Sequence, residues 1–154
     1  MDNTVMPVMR GAIAALTIAL AGYSALTAAA GTAPAAPPPA VQNRLLIQVS
    51  DKDSAKWNLA LNNAANVQHD LGKGNVDIEI VVYGPAIGML KMDSVSGNRI
   101  AEAMAAGVKV VACENTMHNQ KLTRQDMLDA IGYVPAGVVE LMQKQQQGWA
   151  YVRP

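Results

Sequence analysis

A chain of 154 residues with 51% hydrophobic and 16% charged side chains is one domain's length of protein and too short for two full cores. Twelve basic and twelve acidic residues cancel, and only 4% of residues are aromatic with no Phe, so the chain offers neither the positive field nor the stacking platforms that nucleic acids bind. The single cysteine, Cys113, excludes an intrachain disulfide and any multi-cysteine zinc or iron–sulfur centre within one subunit.

No charged residue lies between Arg10 and Gly31, where Ala, Leu, Ile and Gly dominate. That pattern is an export segment. Its apolar stretch of roughly 20 residues exceeds the roughly 7–15 of a cleaved secretory peptide and suffices to span a bilayer. Residues 1–31 therefore read either as a signal peptide, cut near Ala28-Ala29-Ala30 or Thr32-Ala33, or as an uncleaved anchor through residues 11–30. Residues 32–43, rich in Ala and Pro, form a stiff extended linker. Both readings place the domain, residues 44–154, outside the cytoplasm, periplasmic or exported.

From Arg44 onward short β-branched runs alternate with helical stretches closed by glycine. Leu45–Val49 predicts a buried strand, and Ser50-Asp51-Lys52-Asp53 supplies N-caps for a helix whose Trp57, Leu61, Ala64 and Leu71 share one face and which Gly72 ends. Val76–Tyr83 predicts a second strand, stopped by Gly84-Pro85. A short turn is expected at Met89–Lys91, then a helix opened by Ser94 or Ser96 and closed by Gly107. Val108–Ala112 predicts the third strand, with Cys113 at its carboxyl end and a loop, Glu114–Lys121, after it. Thr123 and Asp126 approximate a capping box for a helix through Leu128. Ile131–Val134, a helix over about Ala136–Gln147 and a strand Trp149–Val152 complete the series. Strands alternating with helices imply right-handed crossovers, hence a three-layer, doubly wound α/β fold with a mostly parallel sheet.

In such sheets ligands bind beyond the carboxyl ends of the strands, which is where Cys113 falls. A thiolate is the reactive form, and Asn115, Thr116, His118 and Lys121 can each stabilise a sulfur anion by hydrogen bonding or charge. Glu114 opposes them if its carboxylate turns toward the sulfur. The competing expectation is that Cys113 is a small buried packing residue. Cys-His hydrolysis would need His118, or His69 from its helix, to reach the sulfur, and no acidic orienter is evident. A Cu(I) site would draw on Cys113, Met117, His118, Met89 and Met92, against the simpler account that methionines fill core gaps. Tyr83, Trp57 and Asn58 fall near the same strand ends and are candidates to border the Cys113 crevice, although Trp57 fits the core or a subunit interface better. Neither Gly84–Gly88 nor Gly72-Lys73-Gly74 is a phosphate loop, for lack of a following Lys-Ser/Thr or of a preceding strand.

Five runs, Val49–Ala64, Val82–Leu90, Ala112–Met117, Val134–Glu140 and Gly148–Pro154, together resemble the DsrE/DsrF-like family. The resemblance implies an α/β fold with a sheet of about five parallel strands, assembled as trimers or hexamers, in which some members relay sulfur as a cysteine persulfide during sulfur oxidation or thiolation of transfer RNA. Cys113 is the position that looks like the family's sulfur-carrying cysteine. The export segment argues against a transfer-RNA pathway. With no second thiol in the subunit, sulfur would pass to another chain or to a small thiol.

The expectation is thus a sulfur-handling protein, a persulfide carrier or sulfurtransferase, that uses Cys113 with help from Asn115, His118 and Lys121. It requires no cofactor or metal and forms a homo-oligomer. Its partners are a sulfur donor or acceptor protein or a small thiol, no nucleic acid, and a membrane only through residues 11–30. The alternatives are a non-catalytic oligomeric binding module with a packing cysteine, and Cu(I) binding.

Overall fold

The structure is a computed structural model that describes residues 43–154. The signal, anchor and most of the linker readings fall outside the described residues. The first strand, β1 (Asn43–Val49), begins with the domain, and Leu46 and Ile47 within it are fully buried. Asp53 caps the next helix, α1 (Ser54–Leu71), by accepting from the Ala55 N–H at 2.8 Å. Gly72, at φ +86°, ends it in a conformation that costs glycine little. β2 (Val76–Val82) follows a single 3₁₀ turn, Lys73–Asn75. The segment from Gly84 to Leu90 is a 3₁₀ helix rather than a loop with a turn at Met89–Lys91, because Ala86, Ile87, Met89 and Leu90 bury themselves in the core. α2 (Gly97–Ala105) opens at Ser96 and leads to β3 (Lys109–Cys113).

Two expectations fail after β3. The segment read as a loop is a short helix, α3 (Glu114–Asn119). The helix expected through Leu128 is one 3₁₀ turn, Arg124–Asp126, although the Thr123–Asp126 capping box forms in full. Competing backbone partners explain the second failure. The Asp126 carbonyl accepts from Met92 at 3.0 Å and the Leu128 N–H donates to the Leu90 carbonyl at 2.8 Å, so these groups serve a bridge to the preceding segment and cannot propagate a helix. β4 (Gly132–Val134), α4 (Gly137–Gln146) and β5 (Ala150–Val152) complete the chain.

All five strands are parallel, in the order β4-β3-β2-β1-β5. Steps β1 to β4 advance in one direction, with α1 packing on β1 and β2 and α2 on β3; α4 then carries the chain back across the sheet to β5 and packs on β1 and β2. The alternation of strand side chains divides the apolar interior accordingly. Ile47, Ile78, Ile80, Val110 and Ala112 join α1 and α2 in the larger core, whereas Leu46, Val81 and Val111 join Leu141 of α4 in a smaller one. The sheet is therefore deeply covered on one face and covered by one helix on the other.

Ile80 is fully buried on the central strand of the larger core. Ile80→Ala is expected to lower the unfolding free energy by about 2–5 kcal/mol in urea titrations, through lost transfer energy and the cavity left behind. A loss within about 0.5 kcal/mol, typical of exposed sites, would contradict the packing described.

Candidate functional site

Cys113 is the last residue of β3 and the N-cap of α3. On β3, Val110 and Ala112 face the larger core and Val111 the smaller, so Cys113 shares the face of Val111, beneath α4. Its register partner across β4 is Val134, which also packs on the smaller core. The side chain is 5% exposed.

That burial, acting alone, pushes the thiol up, because a buried anion loses hydration. Donors outweigh it and hold Cys113 below the ordinary thiol value: the Thr116 hydroxyl and the backbone N–H groups of Gly137, Thr116 and Asn115. In α3 the thiol makes no formed cap bond, so these donors count chiefly for the anion. Two of the N–H groups belong to the first turn of α3, where a cap side chain normally accepts, a place the neutral thiol leaves unfilled and a thiolate can fill. The Asn115 N–H is shared, since it also donates to the Pro135 carbonyl at 3.1 Å.

Thr116 is oriented from outside the helix. Its Oγ1 accepts from the Gly84 N–H at 3.0 Å, which leaves the hydroxyl hydrogen free for the sulfur. Gly84 can supply that N–H because it turns the chain at φ +58° immediately after β2. The Gly137 N–H comes from the other helix, at the first residue of α4. A side chain there would be tight: a Cβ on Gly137 would lie 3.1 Å from Cβ and Cδ1 of Tyr83, which would have to give way by a few tenths of an ångström. Two helix N-termini, whose free N–H groups carry partial positive charge, thus meet at one sulfur.

The structure brings together only part of the expected constellation. Asn115 contributes through its backbone. His118 and Lys121 are both exposed, and neither is among the groups acting on the sulfur. The physical reason is α3 itself. In a loop these residues could fold back, but a helix that starts at Cys113 carries Lys121 on the order of 10 Å along its axis. Lys121 instead ends the helix at φ 56°, its N–H donating to the His118 carbonyl at 3.1 Å, while Leu122 donates to Met117 at 2.9 Å. Glu114 points away and pairs with Arg124 at 2.6 Å, whose guanidinium stacks 4.3 Å over Tyr133. Sequence reasoning named Thr116 among the donors but did not identify Gly137; the glycine following Pro135-Ala136 was the available signal.

The other readings of these residues do not assemble. Met89 and Met117 lie in the larger core, on the opposite face from Cys113, and Met92 is exposed, so the thioethers expected for Cu(I) do not converge on the sulfur. Among the described residues no group of three or more His, Cys, Asp or Glu side chains is gathered to hold a metal ion. His69 is exposed beside Asp70 at the end of α1, and with His118 also exposed neither imidazole serves Cys113. Trp57 is buried in the core and donates to the Asp51 carbonyl at 2.7 Å, and Asn58 accepts from Arg99 at 2.6 Å. Tyr83 alone of the three borders the site, through Gly137.

The folded thiol titrates below its unfolded value, so its ionisation adds stability above the unfolded value and loses that contribution as pH falls through the lowered one. Thiolate absorbance or alkylation should accordingly show folded Cys113 titrating below the same thiol in the urea-unfolded chain. Thr116→Val should move that titration upward; an unchanged midpoint would show that the hydroxyl does not act on the sulfur.

The model of the DsrE/DsrF-like family matches residues 43–154. Among solved structures, a protein of unknown function from Methanobacterium thermoautotrophicum, MTH1491, is 30% identical with a TM-score of 0.69 over 73% of this chain and 99% of its own. A conserved protein of unknown function from Bacteroides thetaiotaomicron, BT1422, is 16% identical, with a TM-score of 0.61 over 77% of this chain and 100% of its own. The ychN protein of E. coli is 14% identical, with a TM-score of 0.59 over 73% of this chain and 99% of its own. The last two likenesses concern the fold alone. No curated protein matches the sequence. The chain belongs to the DsrE/DsrF-like family.

Proposed function

We propose that this member of the DsrE/DsrF-like family handles sulfur through Cys113, as a persulfide carrier or sulfurtransferase. The observation that carries the reading is the convergence of the Thr116 hydroxyl and three backbone N–H groups on the one cysteine of the chain. A packing cysteine has no use for such donors, whereas a thiolate or a persulfide anion does. The family, associated with sulfur relay, supports the same chemistry.

The exchange follows thiol–disulfide rules. The Cys113 thiolate attacks a sulfane sulfur of a polysulfide donor, a new S–S bond forms, and the donor's remaining sulfur chain departs as an anion. Cys113 then carries the outer sulfur as a persulfide, and the donors that held the thiolate hold the longer anion. A thiolate of the acceptor attacks the outer sulfur, the Cys113–sulfur bond breaks, and Cys113 leaves as the thiolate it began as. No net oxidation occurs. The acceptor is a partner protein or small thiol, since the chain has one cysteine. The low exposure of Cys113 makes a small or slender donor the fitting one.

Other features support a reading of location and assembly. The uncharged stretch from residue 11 to residue 30 supports a domain held outside the cytoplasm, as an exported or anchored protein. Val138, Val139 and Met142 on α4, with Tyr151 and Val152 on the edge strand β5, are exposed apolar side chains that support association of copies.

Polysulfide treatment of the purified protein should add sulfur mass that a reductant removes and that Cys113→Ser abolishes. A Cys113 that takes up no sulfur, and that a small alkylating agent leaves untouched in the folded state, would sink the carrier reading in favour of a packing cysteine. Light scattering at micromolar concentration should give a multiple of the 16.2 kDa chain, and a monomer would contradict the association.

A further inference from the structure

On the α4 side of the sheet, Glu79 of β2 is 3% exposed, next to Val81 of the smaller core. One of its carboxylate oxygens, Oε2, accepts from Lys144 Nζ at 2.7 Å. The other, Oε1, is buried and has no hydrogen-bond partner among the described residues. The same ammonium lies 3.5 Å from Glu140 Oε1, one turn earlier on α4, and 4.4 Å over the Trp149 ring. The side chains of Lys144 and Glu140 are 15% and 20% exposed. Two carboxylates, that of Glu79 buried and that of Glu140 partly so, therefore share one ammonium at the wall of a groove, and a buried carboxylate oxygen without a partner is costly.

No other charge on this face forms an ion pair with Glu79 or Glu140 among the described residues, although Lys109 lines the same groove. Lys109 stands directly across from Glu79 on β3, but it is exposed and makes no ion pair among the described residues. Asp77, two residues earlier on β2, is exposed and adds the wrong sign. Arg44, opposite Asp77 on β1, lies 6.0 Å over Trp149. β4 contributes Gly132, Tyr133 and Val134, and so neither a carboxylate nor a basic side chain.

We propose that Glu79 and Glu140 hold one proton between them, the Glu140 carboxyl donating to the unpartnered Oε1 of Glu79, so that the pair and Lys144 form a neutral, proton-dependent fastening of α4 to the sheet. One added proton satisfies the orphaned oxygen, removes the surplus charge and leaves Lys144 bonded to Glu79. Burial first, and then the adjacent Glu79, push the Glu140 carboxyl above the ordinary value, consistent with that arrangement. The fastening is independent of sulfur transfer. It nevertheless has a route to the sulfur, because α4 presents the Gly137 N–H to Cys113 one turn before Glu140.

The sign follows from linkage. A carboxyl whose folded value is raised contributes its full stability below its unfolded value and loses it as pH rises through the folded one. Carbon-13 spectra of the glutamate carboxyls of the purified protein should show one group, assigned by its loss in Glu140→Gln, titrating above the usual value of about 4.3. In Glu79→Gln the Glu140 midpoint should fall. Urea midpoints of the native chain should decrease with rising pH across that interval. Glu140→Gln, which keeps an N–H for Oε1 and has no proton to lose, should flatten the decline. Ordinary titration of every glutamate, or an equal slope in Glu140→Gln, would overturn the proposal.

Discussion

A Cβ on Gly137 would come within 3.1 Å of Tyr83, and the close approach of these two residues is the constraint on which the site depends. Tyr83 continues β2, Gly137 starts α4, and Cys113 ends β3 one step beyond its last register pair with β2, Val82 with Ala112. Because the chain crosses from β4 back over the sheet to β5, α4 lies on the face opposite α1 and α2. Its N-terminus can then reach a side chain of β3 that points to that face. The parallel crossover and the missing Cβ together deliver the α4 N–H to the sulfur, and neither suffices alone.

The site is polar through its backbone rather than its side chains. Three of the four donors that favour the thiolate are main-chain N–H groups, and the fourth is a hydroxyl fixed by a main-chain N–H of Gly84. Such donors stay in place without the entropy cost of ordering long cations, and they carry no net charge that would bind a proton or an ion in place of sulfur. Glu114, the acidic residue next to Cys113 in the chain, is paired with Arg124 at the surface. The balance between burial, which disfavours the anion, and these donors, which favour it, sets the thiol's character.

The two faces of the sheet are built with different tolerance for polarity. On the side of the larger core the buried side chains of β1, β2 and β3, Ile47 and Ile80 among them, are apolar, and the buried polar residues, Gln68 and Ser96, belong to the helix layer. The α4 face instead carries Gln48, Glu79 and Cys113 among Leu46, Val81 and Val111, with Tyr151 donating to Gln48 at 2.5 Å and Lys144 to Glu79 at 2.7 Å. One covering helix leaves room at the edges for long side chains to reach buried acceptors. The same thin cover leaves α4 residues such as Val138 and Met142 exposed.

The sequence by itself determined the order and kind of nearly every element, because strand runs such as Val76–Val82 and glycine stops such as Gly72, Gly107 and Gly148 act through local periodicity and backbone conformation. It also placed Cys113 at a strand's carboxyl end, and the quoted motifs identified the family. Tertiary structure decided what local signals do not encode. The Thr123–Asp126 box capped one turn instead of a helix, since Leu90 and Met92 took the backbone groups a helix would have used. The segment after Cys113 became a helix, which carried His118 and Lys121 away from the sulfur. The donor that replaced them, Gly137, lies 24 residues beyond Cys113 in the chain, and a contact across that separation depends on how the crossover packs, which no pattern within either segment specifies.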